Sequence, residues 1–333
     1  MAAPTAASST TVPPARRGAA SAAALVVLAV AAIAYPFVMK ALGEEFYVSV
    51  ASRIMVYAIA ATSLNLILGY GGLVSFGHAA FLGIGAYTVG ILITEGVVSG
   101  WIGIPAAMLL AALVAIPIGA ISLRTRGVYF IMITLAFAQM LFYLVNSIKA
   151  YGGDEGLNIK VRSAFGFGLN LKDDVTFYFV VLACLAGTLL VVHRVMGSRF
   201  GRIVLAMRDD DMRAEAIGVP TFRYKLVLFV LGAALGGLAG ALMVNQQNYV
   251  NPNVLHWTQS GTLMVMVILG GVGTLWGGVL GAFALLVLEE VVAAYTEHWQ
   301  FYVGWVLLGI VLYAPKGLVG LIRRAAGRDG ASR

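Results

Sequence analysis

Ten runs of apolar residues, most of them close to the length a helix needs to cross a bilayer, constrain this chain more than any other feature. They are Ala22–Met39, Val48–Leu68, His78–Ile93, Trp101–Ser122, Val128–Val145, Thr176–Val195, Leu226–Val244, Ser260–Leu269, Gly277–Tyr295 and Phe301–Tyr313. A hydrocarbon core about 30 Å thick takes roughly 20 apolar residues in helical form. No water reaches the backbone there, so each run must pair its own amides and carbonyls as a helix. Apolar types fill 60% of the 333 positions and charged types only 11%. So few charges cannot coat a soluble globule. The expected fold is an all-α, polytopic transmembrane bundle of about ten spans. Its eighth span is the weakest, because Gly270, Gly271 and Gly273 interrupt it.

Basic residues orient such a bundle, since Lys and Arg accumulate on the cytoplasmic side. With the N-terminus inside, ten spans place Arg16, Arg17, Arg124, Arg126, the seven basic residues from Arg194 to Lys225, Lys316, Arg323, Arg324, Arg328 and Arg333 on that side. Lys40, Arg53, Lys149, Lys160, Arg162 and Lys172 fall outside or near the outer surface, with most of the acidic residues. Both termini are therefore expected in the cytoplasm. Residues 1–20, rich in Ala, Ser, Thr and Pro, read as a disordered cytoplasmic arm. A cleaved signal peptide is the alternative; the apolar run after Arg17 is long for one, and no convincing cleavage site follows. Residues 21–315 form the transmembrane domain, with an outer loop at 148–175 and a cytoplasmic segment at 196–225. Residues 316–333 form a basic tail. The net charge of +7 is thus explained by topology, with no pattern pointing to nucleic acid.

Glycine shapes the connections. Ile67–Gly77 reads ILGYGGLVSFG and Ile268–Gly277 reads ILGGVGTLWG. Each closes one span and opens another, as do the broken helices that line the route of internally repeated transporters. Chance recurrence in a chain with 40 glycines is the other reading. Gly232, Gly236 and Gly240 recur every fourth residue along the seventh span, and Gly273, Gly277 and Gly281 do so at the start of the ninth. Such stripes let helix backbones touch in lipid, where apolar burial supplies no drive.

Enzymatic chemistry finds no foothold. There is no GxxxxGK[ST] nucleotide loop, no HExxH and no CxxC, and His78, His193, His256 and His298 are scattered without a metal-ligand spacing. No metal site or cofactor is expected in this chain. The lone Cys184 sits inside a span and excludes a disulfide framework. Glu289 and Glu290 come nearest to membrane-embedded carboxylates, but they fall toward the outer end of the ninth span and read as interfacial. An ion-coupled secondary transporter would therefore lack an obvious coupling group. Asn65, Ser75, His78, Thr134, Gln139, Asn245 and Gln246 are polar residues able to line a route or to bond between helices.

The segment Gly197–Lys225, GSRFGRIVLAMRDDDMRAEAIGVPTFRYK, stands apart as a charged, helix-capable stretch in an oily chain. Met207–Ile217 is expected to be a helix with Asp209, Asp210 and Asp211 near its N-terminus, where the helix dipole favours negative charge. Gly218 and Pro220 give its stop. Flanked by Arg199, Arg202, Arg208 and Arg213, it suits a groove on a soluble partner; a solvated loop obeying the basic-inside pattern is the alternative.

The run SLNLILGYGGLVSFGHAAFLGIGAYT at Ser63–Thr88 resembles the signature of the LivM-type permeases of branched-chain amino acid ATP-binding-cassette (ABC) importers. ITLAFAQM at Ile133–Met140, GGDEGL at Gly152–Leu157, GRIVLAMRDDDMRAEAIGV at Gly201–Val219 and MVILGGVGTLWGGVLGA at Met266–Ala282 extend the resemblance over nearly the whole chain. It implies a multi-pass protein of the bacterial inner membrane that carries branched-chain or similar apolar amino acids. The implied partners are a second permease subunit of the LivH type, two cytoplasmic ATPase subunits that use ATP and Mg, and a periplasmic substrate-binding protein. Gly201, Arg202, Arg208, Glu215, Ala216 and Gly218 match the part of the family that meets the ATPase, and Arg199 and Asp209 flank them. The wider importer motif places its glycine six residues after the Glu of EAA, whereas Gly218 follows Glu215 by three. Related permeases serve urea and short amides, so the resemblance leaves the substrate open. A stand-alone secondary transporter and a non-transporting scaffold are the remaining classes.

Overall fold

The computed structural model describes residues 30–159, 161–165, 173–296, 298–313 and 317–325. The expected arm at 1–20, the start of the first run, Lys316 and the end of the tail lie outside them. The chain divides into two compact units, Met1–Val48 and Ser49–Arg333. The first holds α1 (Val30–Ala41), and in it the Tyr35 hydroxyl donates to the carbonyl of Tyr47 at 3.2 Å. Helix α2 (Glu45–Asn65) straddles the boundary and ends in a π-helical turn, Leu66–Tyr70.

The second unit continues with α3 (His78–Thr94), α4 (Gly100–Ser122), α5 (Val128–Ser147), α6 (Asp174–Gly197), α7 (Arg199–Asp209), α8 (Asp211–Ala216) and α9 (Thr221–Gln247). Then come α10 (Trp257–Gly270), α11 (Gly277–Ala293), α12 (Trp299–Tyr313) and α13 (Gly317–Ala325). Described helix occupies all or part of each of the ten expected runs, so the all-α class stands. Among the described residues, five stretches are long and apolar enough to cross a membrane: Glu45–Tyr70, Gly100–Ser122, Val128–Ser147, Asp174–Gly197 and Thr221–Gln247.

Helix α9 is central. Its most apolar stretch is 78% buried, against 17% for α5, because α3 and α4 pack along its two glycine-lined faces. A Cβ on Gly240 would lie 1.9 Å from the carbonyl oxygen of Leu82 in α3, and one on Gly237 would lie 2.7 Å from that of Ala107 in α4. The α4 side of this contact is a stripe of fully buried alanines, Ala107, Ala111 and Ala115. Phe229 of α9 anchors the core edge-on to Phe81 at 5.5 Å and Phe130 at 6.4 Å, geometries that suit the ring quadrupoles. The second expected stripe divides: Gly277 and Gly281 pack against α10, where a Cβ on Gly281 would meet the Met266 oxygen at 1.7 Å. Gly273 is not helical; it sits in the preceding turn at φ +72°.

At one end of the unit, two short strands close the loops. Leu157–Asn158 pairs antiparallel with Tyr249–Val250, Leu157 opposite Val250. Arg162 pairs with Asp174 at 2.6 Å, and the Tyr151 hydroxyl donates to Glu95 at 3.1 Å. That hydrogen bond to a carboxylate raises the Tyr151 phenol above its ordinary pKa.

Candidate functional site

Helix α2 ends in a five-residue π-turn because Gly69 and Gly71 leave room for the chain to fold back. A Cβ on Gly69 would lie 2.4 Å from the backbone nitrogen of Gly273, in the other glycine-rich turn. Asn65 joins the two turns: its Nδ2 donates to the Thr274 carbonyl at 2.7 Å, and its Oδ1 accepts from the Gly273 amide at 2.9 Å. The second turn reaches this position only through positive φ, +125° at Gly271 and +72° at Gly273, a region L side chains rarely adopt. Asn65→Ala would leave a half-buried amide and carbonyl unpaired, at most about 1–3 kcal/mol for each. A lowered midpoint of thermal aggregation in detergent is the expected result; an unchanged midpoint would mean the two bonds contribute nothing.

The charged segment lies beside these turns. Ser198 caps α7 by accepting from the Gly201 amide at 3.4 Å, and a Cβ on Gly201 would strike the Met196 oxygen at 2.3 Å. Glycine therefore permits the sharp bend from α6. Gly201, Val204 and Met207 face inward, in a small apolar cluster with Leu66, Val192, Leu228 and Leu235, while Arg199, Arg202 and Arg208 stay exposed. The expected single helix over Met207–Ile217 is corrected here. Asp209 closes α7, Asp210 is extended (φ −158°, ψ 104°), and α8 starts at Asp211. The break has a local cause: Asp210 Oδ1 accepts the Arg213 amide at 3.1 Å, acting as an N-cap. Gly218, at φ +87°, ends the segment as expected.

Helix α8 is tied back to the bundle by charge. Glu215 Oε1 accepts from Arg126 Nη2 at 3.1 Å and from the Thr221 hydroxyl at 2.8 Å, and Asp211 pairs with Lys225. Between α7, α8, the first turn of α9, the α4–α5 loop and Gly71–Val74 lies a cavity of about 520 Å³. Arg208 reaches from α7 over Gly72, where a Cβ would stand 3.2 Å from its Cγ. A load placed on α8 therefore has three direct routes: to the α4–α5 loop, to α9 and, through α7, to the glycine turns. On its free side α8 exposes Met212 (71%) and the following Ile217 (80%), with Ala216 and Arg213 beside them.

The remaining polar candidates are dispersed. His78 is fully buried with Nε2 2.7 Å from Ser63 Oγ; the Ser63 hydroxyl donates to Ala60, so the imidazole N–H faces serine. Ser75 accepts from the Gly77 amide, and Thr134 donates to Ile131 within its own helix. Asn245 Oδ1 holds the Ser163 amide at 2.7 Å and thereby anchors the loop after α5. Gln246 is half-buried. Sequence reasoning missed the facing of Gly237 and the α4 alanines, although their four-residue spacing was available. It also passed over a pair at 3.7 Å between Arg53 of α2 and Glu289 of α11. Among the described residues no group of three or more His, Cys, Asp or Glu could hold a metal ion.

A family model described as branched-chain amino acid transport system / permease component matches residues 46–314. The chain is 30% identical over 319 residues to the high-affinity branched-chain amino acid transport system permease protein LivM of Escherichia coli, covering 89% of this chain and 74% of that one. It is 25% identical to LivH of the same organism, covering 79% and 91%. A probable LivM of Methanocaldococcus jannaschii is 24% identical over 79% of the chain and 90% of its own length. No solved structure gives a significant match.

Proposed function

Because the chain belongs to the branched-chain amino acid transport permease family, we propose that it is the membrane-spanning subunit of an ABC importer of branched-chain or similar apolar amino acids. It pairs with a LivH-type permease, takes substrate from a periplasmic binding protein and is driven by two cytoplasmic ATPases that use ATP and Mg. Similarity to both LivM and LivH, each named a permease protein of a high-affinity system, supports the paired arrangement. The distribution of Lys and Arg supports ten spans with both termini in the cytoplasm of a bacterial inner membrane.

The exposed apolar end of α8 carries the coupling reading. Met212 and Ile217 stand out beside Arg213 on a helix whose other side is bonded to the α4–α5 loop and α9. An apolar tip rimmed by charge suits a groove on a soluble protein. Closure of the ATPases pushes this tip, and the push reaches the bundle through Glu215, Asp211 and Arg208. In this chain no covalent chemistry occurs.

The test is uptake in proteoliposomes. The chain alone is expected neither to hydrolyse ATP nor to accumulate leucine, and to support ATP-dependent uptake once joined to the other subunits. Accumulation by the chain alone on an ion gradient would replace this reading with a secondary transporter. Cysteine labelling should place positions 202 and 324 inside and 154 outside; access to 202 from outside would overturn the orientation.

A further inference from the structure

Arg53 of α2 and Glu289 of α11 face each other near the outer end of their helices, and nothing derived above uses them. Arg53 stands eight residues from the start of α2 and twelve from its end, about 12 and 18 Å along the axis. Glu289 lies four residues, about 6 Å, from the end of α11. Both therefore lie toward the outer end of their spans, where a charge faces water, a water-filled route or a polar partner in place of hydrocarbon. The two side chains are 37% and 25% exposed.

Their contact is also loose. At 3.7 Å it is well beyond the roughly 2.7–2.9 Å of a charge-assisted hydrogen bond. Neither group makes a hydrogen bond to another described residue. The Tyr57 hydroxyl, one turn beyond Arg53 and within electrostatic reach of both charges, makes none either. A guanidinium with free donors, a carboxylate with free acceptors and a phenol thus stand together between two helices. Their near neighbours along the helices, Val50, Ile54, Leu285 and Val292, are apolar.

We infer that Arg53, Glu289 and Tyr57 form the headgroup site for a zwitterionic α-amino acid on its route through the bundle. The guanidinium receives the carboxylate, Glu289 receives the ammonium, and the adjoining apolar face receives the side chain. A net-neutral pair suits a net-neutral ligand: each opposite charge is met, and the site is left neither over- nor under-compensated. This assignment rests on the proposed transport of apolar amino acids and adds to it the residues that read the substrate's charged end.

The experiment uses the complete transporter in proteoliposomes, with leucine as probe. Glu289→Gln and Arg53→Gln are each expected to lower the uptake rate per assembled complex at least tenfold. The exchanged pair, Arg53→Glu with Glu289→Arg, should recover any lost thermal stability without recovering uptake. In a Cys184→Ser background, Val50→Cys should react with a charged, membrane-impermeant thiol reagent, and turnover with leucine should slow that reaction at least threefold. Uptake within twofold of the parent in Glu289→Gln would overturn the site. So would losses that only track the amount of assembled complex, recovery of uptake by the exchanged pair, or no reaction at the position 50 cysteine. Absence of leucine uptake in the unmodified complex would instead remove the transport reading, and the site with it, so the two failures are told apart by the parent measurement.

Discussion

Gly240→Ala is expected to destroy the assembled bundle. The added methyl would stand 1.9 Å from the Leu82 oxygen and 2.8 Å from the Ala86 nitrogen, so α9 must withdraw from α3 by more than an ångström. Both obstacles are backbone and cannot rotate away. Withdrawal would also open the Phe81–Phe229 contact, placing the cost at or beyond the upper end of the about 1–3 kcal/mol typical of overpacking. Gly236→Ala, whose methyl would meet only His78 and Phe81 at 3.3–3.4 Å, should be mild. Gly187→Ala in α6 meets nothing within 4 Å and should be neutral or slightly stabilising. Size-exclusion profiles and thermal aggregation midpoints should rank the three in that order. A monodisperse Gly240→Ala protein with the midpoint of Gly187→Ala would contradict the α3–α9 packing.

Glu215→Lys is expected to leave the bundle folded and to cut ATP-dependent uptake roughly tenfold or more. The Glu215 side chain is 44% exposed and that of Arg126 62%, so the loss of their pair should cost at most about 1 kcal/mol of stability. Its effect on coupling is larger, because the reversed charge repels Arg126 and removes the Thr221 acceptor, releasing α8 from two of its anchors. The readout is uptake per co-purified complex alongside the amount of ATPase retained. Unchanged assembly together with unchanged uptake would reduce α8 to a solvated turn.

The helices were legible because lipid leaves the backbone one local solution, and length with composition reports it. Residues such as Val128–Val145 therefore read correctly without any knowledge of neighbours. Contacts between helices were legible only where a small-residue stripe announces them, as along Gly232–Gly240. The meeting of Asn65 with Gly273 was hidden, since an asparagine in a span reads equally well as a route-lining group or a clasp. The break at Asp210 was missed for a related reason. Three consecutive aspartates all favour a helix start, and only the geometry of one side chain decides which of them caps. The pairing of Arg53 with Glu289 was hidden because the two lie more than two hundred positions apart.

The Asn65 clasp also bears on how the chain is made. Its two bonds join residues separated by 208 and 209 positions, so they cannot form until the turn after α10 has left the ribosome. Until α10 and the turn after it are inserted, α2 waits in the membrane with an unanswered amide at its tip. Long-range closure of this kind slows the final step of folding and leaves early helices dependent on late ones. A nascent chain halted after α9 should therefore be inserted but unlocked, exposed to quality-control proteases until α10 and the turn after it arrive to fasten α2.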